Sequence, residues 1–561
     1  MSVRGIYNRK EKYMGTTKKS SGDEFLKQGS ILAMASILVR IIGMVYRIPM
    51  ANIIGDDGNG IYSAAFEVYN ILLIISSYGM PMAVSKMVSA KCAQKQYKGA
   101  FQVFRCSILF SLLSGGLMAI FVFFGAGWIE RTFFSKFQGI SIPLRVLAPT
   151  IFIVAVMGVF RGLFQGRNTM MPTAVSQILE QIVNAVISIV AAYYLMMDHS
   201  ASKNLSAWGA AGGTMGTCVG ALAAFIILFL IYLLYRPVMK RQMGRERRKN
   251  TETVGETYQL IFWTVIPIIL SQTVYQLSGI IDVTVYNYAM EARKIDDRIV
   301  RTMQGIYSTK YRLLVSVPIA VSTAIASSMI PSLVASVTSY DRTAIHAKVS
   351  MAIKFNMIIA FPSAVGLAVL AVPIIRLLFP GSDYVTGGWM LMTGSTCIIF
   401  YALSTVTSGV LQSIDEMSKP VIHSLISLVI HIVLIFVLLR YTTMGAYALV
   451  FGNVTYPLVV CFLNGRSVRQ HLGFRQEVTK TFCIPFLSSV AMGILTFVVY
   501  ELFFLLTHRI YVAIVPAFLV AVASYFAMVL KLGGLNREEL YEFPMGRRMS
   551  IVADRFHLLR H

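Results

Sequence analysis

"GIYSAAFEVYN" at residues 60–70 returns as "GIYSTKYRLLV" at 305–315, sharing Gly-Ile-Tyr-Ser at an offset of 245 residues. Each copy follows a polar stretch and opens an apolar run. Two further matches keep the same order. "RGLFQGRNTMMP" (161–172) returns as "SGVLQSIDEMSKP" (408–420), aligning Gly162 with Gly409 and Gln165 with Gln412, and "WGAAGG" (208–213) has a counterpart in "MGAYAL" (444–449). One such match is chance-sized; a colinear set of three reads as a duplicated unit.

The unit is built from membrane-crossing helices. The 561 residues are 56% hydrophobic and only 14% charged, against roughly 25% charged in soluble domains. Apolar runs of about 20 residues, the length needed to cross a hydrocarbon core, recur along the chain. They predict fourteen spans near 29–54, 61–90, 100–125, 142–165, 172–196, 208–235, 257–288, 305–334, 345–372, 384–411, 419–439, 444–463, 481–505 and 510–531. Six helices per copy is an even number, which preserves orientation across the membrane. The expected fold is therefore an all-α polytopic membrane protein of two parallel-repeat six-helix lobes around a central cavity, with two extra C-terminal helices. The organisation expected is a basic tail (1–28), a first lobe (29–235), a basic linker (236–256), a second lobe (257–463), a loop (464–480), helices thirteen and fourteen (481–531) and a second tail (532–561).

The net charge of +24 invites a nucleic-acid reading, but its placement opposes one. The cations collect in short segments beside apolar runs: the N-terminal tail, 235–250, 465–480 and the C-terminal tail. Such segments mark the cytoplasmic side. Both termini are expected there, with "IIGDDGNG" (53–60) and "EARKIDDRIVR" (291–301) outside. No cleavable leader is expected, since a polar lead precedes the first apolar run. Six scattered cysteines without a CxxC pair suggest neither a disulfide framework nor a metal site.

Ionisable residues inside spans are rare and mark pathways or paired sites. Helix one carries Arg40 and Arg47, seven residues apart and hence on nearly one face. Glu67 lies on helix two, and Arg161 with Gln165 at the end of helix four. Helix five presents Gln177, Glu180, Gln181 and Asn184 at i, i+3, i+4 and i+7, one polar stripe. The second lobe adds Gln272, Gln276 and Asp282 on helix seven and Lys310 and Arg312 on helix eight, Arg312 falling opposite Glu67 in the repeat. Helices one, two, seven and eight become the expected cavity walls. Their positive balance favours an anion, and guanidinium suits phosphate through paired hydrogen bonds. A structural alternative stands beside this: Arg40 or Arg47 pairs with Glu67, and Arg161 with Glu180. His423 and His431 on helix eleven read as packing residues. There is no P-loop, HExxH or dinucleotide fingerprint, and an enzyme is not expected.

"LVRIIGMVYRIPMANIIGDDGNGIYSAAFEVYN", "YGMPMAVSKMVS" (78–89) and "VFRGLFQGRNTMMPTAVSQILEQIVNAV" (159–186) resemble the multidrug/oligosaccharidyl-lipid/polysaccharide flippase superfamily, in its polysaccharide-transporter branch of stage V sporulation protein B-like and MurJ-like proteins. The resemblance implies alternating-access transport of an undecaprenyl-pyrophosphate-linked sugar across the bacterial cytoplasmic membrane, by a single copy without cofactor or nucleic acid. It assigns the pyrophosphate to arginines on the first and eighth helices, matched here by Arg40, Arg47 and Arg312. A basic residue of helix two in MurJ-like members is replaced by the apolar "NILLII" (70–75). A cation site in the second lobe, carried by some members, would need acidic partners on helix eleven. This chain has none there, so Asp282 leaves open whether transport couples to a cation or to the membrane potential. Two other readings are a drug/cation antiporter of the same architecture, which the arginines disfavour, and a membrane sugar polymerase or ligase, which lacks its large external loop.

Orientation can be checked directly. Cysteines placed in 53–60 and 291–301 are expected to react with an impermeant thiol reagent in intact cells. Labelling confined to 239–250 would reverse the topology.

Overall fold

The computed structural model describes residues 4–246, 253–339, 341–541, 550–551 and 554–555, and among them the chain is helical, without a strand. Helix is what a bilayer permits, because backbone groups find no water there and must bond within the segment. The elements are α1 (Arg4–Leu73), α2 (Met80–Ala93), α3 (Tyr97–Phe133), α4 (Ser141–Gly166), α5 (Met171–Asp198), α6 (Leu205–Arg245), α7 (Val254–Ala292), α8 (Asp297–Ile306) and α9 (Leu313–Thr338). There follow α10 (Arg342–Val369), α11 (Ala371–Leu378), α12 (Tyr384–Gly394), α13 (Cys397–Ser413), α14 (Ser418–Tyr441), α15 (Tyr447–Leu472), α16 (Ile484–Thr507), α17 (Ile510–Lys531) and α18 (Arg537–Tyr541). Wider π-helical turns at Ile74–Tyr78 and Tyr307–Arg312 join α1 to α2 and α8 to α9.

Among the described residues, eleven helices are long and apolar enough to cross a membrane, or twelve with α12 and α13, bent by 44°, taken as one span. The sequence reading expects fourteen. Part of the difference is the stretch Met34–Ala93, 60 residues counted as one span. At about 1.5 Å per residue it is roughly 90 Å long, three times a hydrocarbon core. It is not one straight helix. Gly55 breaks it with φ 72° and ψ 173°, a backbone conformation that only glycine adopts readily.

The duplication is visible in the packing. The chain divides into two compact units: 1–54 with 61–280, and 55–60 with 281–561. In the first, α2 packs on α3 and α4, α3 on α4, α4 on α5 and α6, and α5 on α6. In the second, α9 packs on α10 and α13, α10 on α13, α13 on α14 and α15, and α14 on α15. Apart from a minor α3–α6 contact in the first unit, the second list repeats the first, with α2, α3, α4, α5 and α6 replaced by α9, α10, α13, α14 and α15. The additional pair α16–α17 pack together and rest on α10 through α16. The dividing point falls within α7, at Ile280 and Ile281, rather than in the basic stretch 236–256.

Small residues set the helix spacing, as in other membrane bundles. A Cβ on Gly162 or Gly166 of α4 would meet α2 backbone oxygens at 2.8 and 2.7 Å. On Gly216 of α6 it would lie 2.1 Å from Ser188 Oγ and 2.5 Å from Asn184 O of α5. Neither helix can yield without losing the rest of its contact. Gly216→Val is expected to lower the thermal midpoint and the folded yield in detergent, with an overpacking cost of about 1–3 kcal/mol; an unchanged midpoint would show that α5 and α6 do not pack this closely.

Candidate functional site

Polar residues of α1 in the first unit face α5 along one stretch and α7 along another. Arg40 and Arg47 keep exposed side chains on α1. Between them, a Cβ on Gly43 would sit 3.1 Å from Gln181 Nε2, and one turn on, Asn184 Nδ2 donates to Tyr46 Oη at 3.3 Å. The polar stripe of α5 thus faces the stretch of α1 that carries both arginines. Tyr62 lies within electrostatic reach of Tyr46 and Arg47, and Tyr69 within reach of Glu180. Glu67 is half-buried and turned toward α7, where a Cβ on Gly279 would come within 2.2 Å of its Oε2. A side chain at position 279 would displace the Glu67 carboxylate.

Arg161 does not stand in this group as a separate cation. Its Nη2 donates to Glu180 Oε2 at 2.7 Å and its Nε to Ser176 Oγ at 3.1 Å, so the ion-pair alternative holds for this pair. Gln165 is half-buried at the end of α4, and Gln177 Oε1 is buried without a hydrogen-bond partner. Gln276 is exposed, and the side chain of Gln272 lies outside the described residues.

In the second unit the structure joins groups that the sequence reading left apart. Residues 55–60 cluster with this unit although the chain on either side of them belongs to the first. Within it, Arg301 Nε donates to Asp57 Oδ1 at 2.6 Å and Lys310 Nζ to Asp56 Oδ2 at 2.8 Å. Lys310 is fully buried and also donates to the carbonyl of Asp383 at 3.2 Å. Asp383 is held in place as the N-cap of α12. Burial would raise its carboxyl pKa, but hydrogen bonds from Thr386 and Val385 and the Lys310 charge bring it below the usual range. The π turn carries both Lys310 and Arg312. Its extra residue re-aims side chains relative to α8, a device that recurs at functional sites.

The two repeat glycines meet here. A Cβ on Gly60 would lie 1.9 Å from the carbonyl of Arg301, and one on Gly305 1.9 Å from that of Asp56. Each glycine faces the carbonyl four residues before the other. That reciprocity is the mark of a two-fold contact between equivalent segments.

His431 was read as packing, yet Nε2 of His431 on α14 lies 2.6 Å from Asp282 Oδ1 on α7. His423 does behave as a packing residue, with Nδ1 2.7 Å from Asn464 Oδ1. The sequence signal for the first pair is an acid on helix seven together with an imidazole on helix eleven.

Residues 25–337 match the family described as "Polysaccharide biosynthesis protein". The chain belongs to that family. Among its relatives in Bacillus subtilis (strain 168), the lipid II flippase MurJ is 24% identical over 497 residues, 84% of this chain and 87% of the relative. Stage V sporulation protein B is 23% identical over 477 residues, 84% and 88% of the two chains. The fold is also that of a solved lipid II flippase MurJ in an inward closed conformation, with TM-score 0.64, 17% identity and coverage of 89% and 97%. It is likewise that of an inward-facing multidrug resistance MATE family transporter of the MOP superfamily, with TM-score 0.62, 17% identity and coverage of 77% and 94%. The family member described here is a multi-pass membrane protein of this superfamily fold.

The Lys310 pair offers a test of how the family fold holds residues 55–60. Removing one partner of a buried pair costs about 3–5 kcal/mol, whereas replacing both is often neutral. Lys310→Met is expected to lower the thermal midpoint sharply and Lys310→Met with Asp56→Leu to recover most of it. Equal loss in both variants would rule out the ion pair as the reason.

Proposed function

We propose that this chain is a flippase for undecaprenyl-pyrophosphate-linked sugars, the peptidoglycan precursor lipid II or a related polysaccharide unit. It works by alternating access in the bacterial cytoplasmic membrane, with both termini in the cytoplasm. The observation that carries the reading is the pair Arg40 and Arg47. Two guanidinium groups stay exposed on one face of a membrane helix, in a chain whose relatives over 84% of its length include a lipid II flippase. An arginine at membrane depth costs roughly 2.5–3.5 kcal/mol on insertion scales. A hydrated cavity that receives a diphosphate offsets that cost.

Under this reading Arg40, Arg47 and Arg312 hold the diphosphate in paired hydrogen bonds, while Glu67, Gln177, Gln181, Asn184 and Gln276 give the sugar polar neighbours. The lipid tail stays in the bilayer as the head group crosses. No bond is made or broken, so the chain acts as a transporter and not as a catalyst. The same fold in a MATE transporter supports a drug/cation antiporter as a second reading, but a cavity lined by arginines repels a cationic drug.

Arg40→Ala, Arg47→Ala and Arg312→Ala are each expected to slow flipping of fluorescent lipid II in proteoliposomes while leaving folded yield intact. A lost charged hydrogen bond costs about 1.5–3 kcal/mol, or roughly ten- to more than a hundredfold in affinity. Lysine should rescue only partly, since it lacks the planar fork. Flipping restored to Arg47→Ala by adding Glu67→Gln would mean that the arginine serves an ion pair and not the substrate.

A further inference from the structure

We infer that the cavity bordered by α10, α13 and α15 binds one anionic phospholipid, with its phosphate on Arg469 and Arg475 and its chain in the apolar interior. The inference is independent of the flippase reading, because it uses a different part of the second unit and none of the residues given to the diphosphate.

The cavity measures about 520 Å³, within the range of sites that enclose a small organic molecule. α13 packs on both α10 and α15, and the space left beside them is closed at one end by the connection that follows α15. Gly473 turns the chain there in the left-handed conformation, at φ 63°. The connection is then held down. His346 Nε2 of α10 lies 2.8 Å from the carbonyl of Leu472, and its ring meets Phe474 edge-on at 5.6 Å. Gln476 Nε2 donates to Thr481 Oγ1 at 2.7 Å. Arg469 and Arg475, on either side of the turn, both line the cavity.

The duplication shows that the fold does not force this space. At the offset of 236 set by Gly209 and Gly445, residues Cys461, Gly465 and Val468 correspond to Phe225, Phe229 and Tyr232. At the offset of 247 set by Gly162 and Gly409, Thr407 corresponds to Phe160. The packing supports both offsets. A Cβ on Gly216 of α6 would strike Asn184 and Ser188, and one on Gly452, the equivalent glycine of α15, would strike the equivalent residues His431 and Ile435. In the first unit the Phe160 ring lies 5.8, 6.1 and 5.3 Å from the rings of Phe225, Phe229 and Tyr232, an aromatic plug. In the second unit the same four places hold a threonine, a thiol, a glycine and a valine, and all four line the cavity. Interiors keep few voids, and one copy of this unit fills the place with four rings. The other copy keeps it open with four small side chains, which leaves room for a molecule that is not protein.

The chemistry of the lining selects the occupant. Thr407 Oγ1 donates to the carbonyl of Leu403 at 2.8 Å and Cys461 Sγ to that of Phe400 at 2.9 Å, so the inner wall keeps neither donor for a polar ligand. Cys461 precedes Arg469 by just over two helical turns, about 12 Å along α15. An apolar depth of that order therefore lies behind a cationic rim. Arg469 and Arg475 are exposed, and among the described residues neither guanidinium has a hydrogen bond or an ion pair. Glu477 of the same connection lies 3.9 Å from Lys480 Nζ, and Glu416 3.2 Å from His471 Nε2. Cations at a helix end are common; two of them over an apolar cavity are not explained by that. A free ion would leave the interior empty, and a neutral chain would leave the guanidinium groups unused. A chain headed by a phosphate suits both, as in other basic pockets between membrane helices. The rim lies on the side proposed as cytoplasmic, so the lipid would come from that leaflet.

The test uses the full chain in mixed micelles of a neutral detergent with increasing phosphatidylglycerol, read by thermal midpoint and native mass spectrometry. The wild type is expected to keep one phosphatidylglycerol after the others are stripped, and its midpoint should rise as the lipid saturates. Arg469→Ala with Arg475→Ala should weaken that retention about tenfold or more. Gly465→Phe should weaken it at least as much. A Cβ at 465 meets nothing within 4 Å, so the ring enters open space and restores the plug of the first unit, and the midpoint in lipid-free detergent should not fall. A wild type that keeps no lipid, or variants that keep it as well as the wild type, would overturn the site. Phosphatidylcholine held as tightly as phosphatidylglycerol would overturn the part given to the arginines. Glycerol phosphate that competes at equal concentration would make the occupant a soluble anion and overturn the lipid. If Gly465→Phe does not fold, the double arginine variant, changed only at exposed side chains, decides.

Discussion

A charge inside a membrane-spanning helix persists only where it meets an opposite charge or water, and the layout of this chain follows from that constraint. Arg161 closes on Glu180 at 2.7 Å, Lys310 on Asp56 at 2.8 Å, Lys354 on Glu539 at 2.7 Å and His431 on Asp282 at 2.6 Å. Apart from Arg161 with Glu180, these pairs bind segments far apart in sequence, and each is neutral as a unit. Arg40 and Arg47 solve the same problem differently, by remaining exposed. The first solution builds the scaffold, and the second keeps charged side chains at the surface of α1.

Duplication determines where such pairs can form. Two units with the same helix pairing offer equivalent positions twice, but one copy is free to diverge once the other satisfies packing. Asn184 and His431 illustrate this: both sit where α5 or α14 receives a glycine of the next helix, Gly216 or Gly452. The amide bonds to a tyrosine hydroxyl and the imidazole to a carboxylate. Glu67 and Arg312, which the repeat makes equivalent, differ even in the sign of their charge.

The sequence made the helices, the duplication and the close-range pairs legible because each leaves a local trace. Apolar run length predicts a span, a shared tetrapeptide exposes a repeat, and Arg161 with Glu180 is close enough in sequence to be suspected. Partners hundreds of residues apart leave no such trace. Nothing in "IIGDDGNG" marks Asp56 as the partner of Lys310, 254 positions on, and Asp282 offers no local sign of His431. The span count was also less legible than the spans, because a break such as Gly55 interrupts the helix without interrupting the apolar run.

Residues 55–60 show how glycines and carboxylates act together to fix a short segment. Gly55 leaves helical geometry at φ 72°, and five residues later Gly60 approaches the carbonyl of Arg301 too closely for any Cβ. Between these two glycines lie Asp56 and Asp57, whose cations are fixed on α8 and the π turn that follows it. The glycines allow the approach and the carboxylates hold it. The chain on both sides belongs to the first unit, whereas these few residues cluster with the second. Releasing the anchor would strand the fully buried ammonium of Lys310 with only the Asp383 carbonyl as acceptor, so the segment is held until something else supplies a charge or water admits itself to that position.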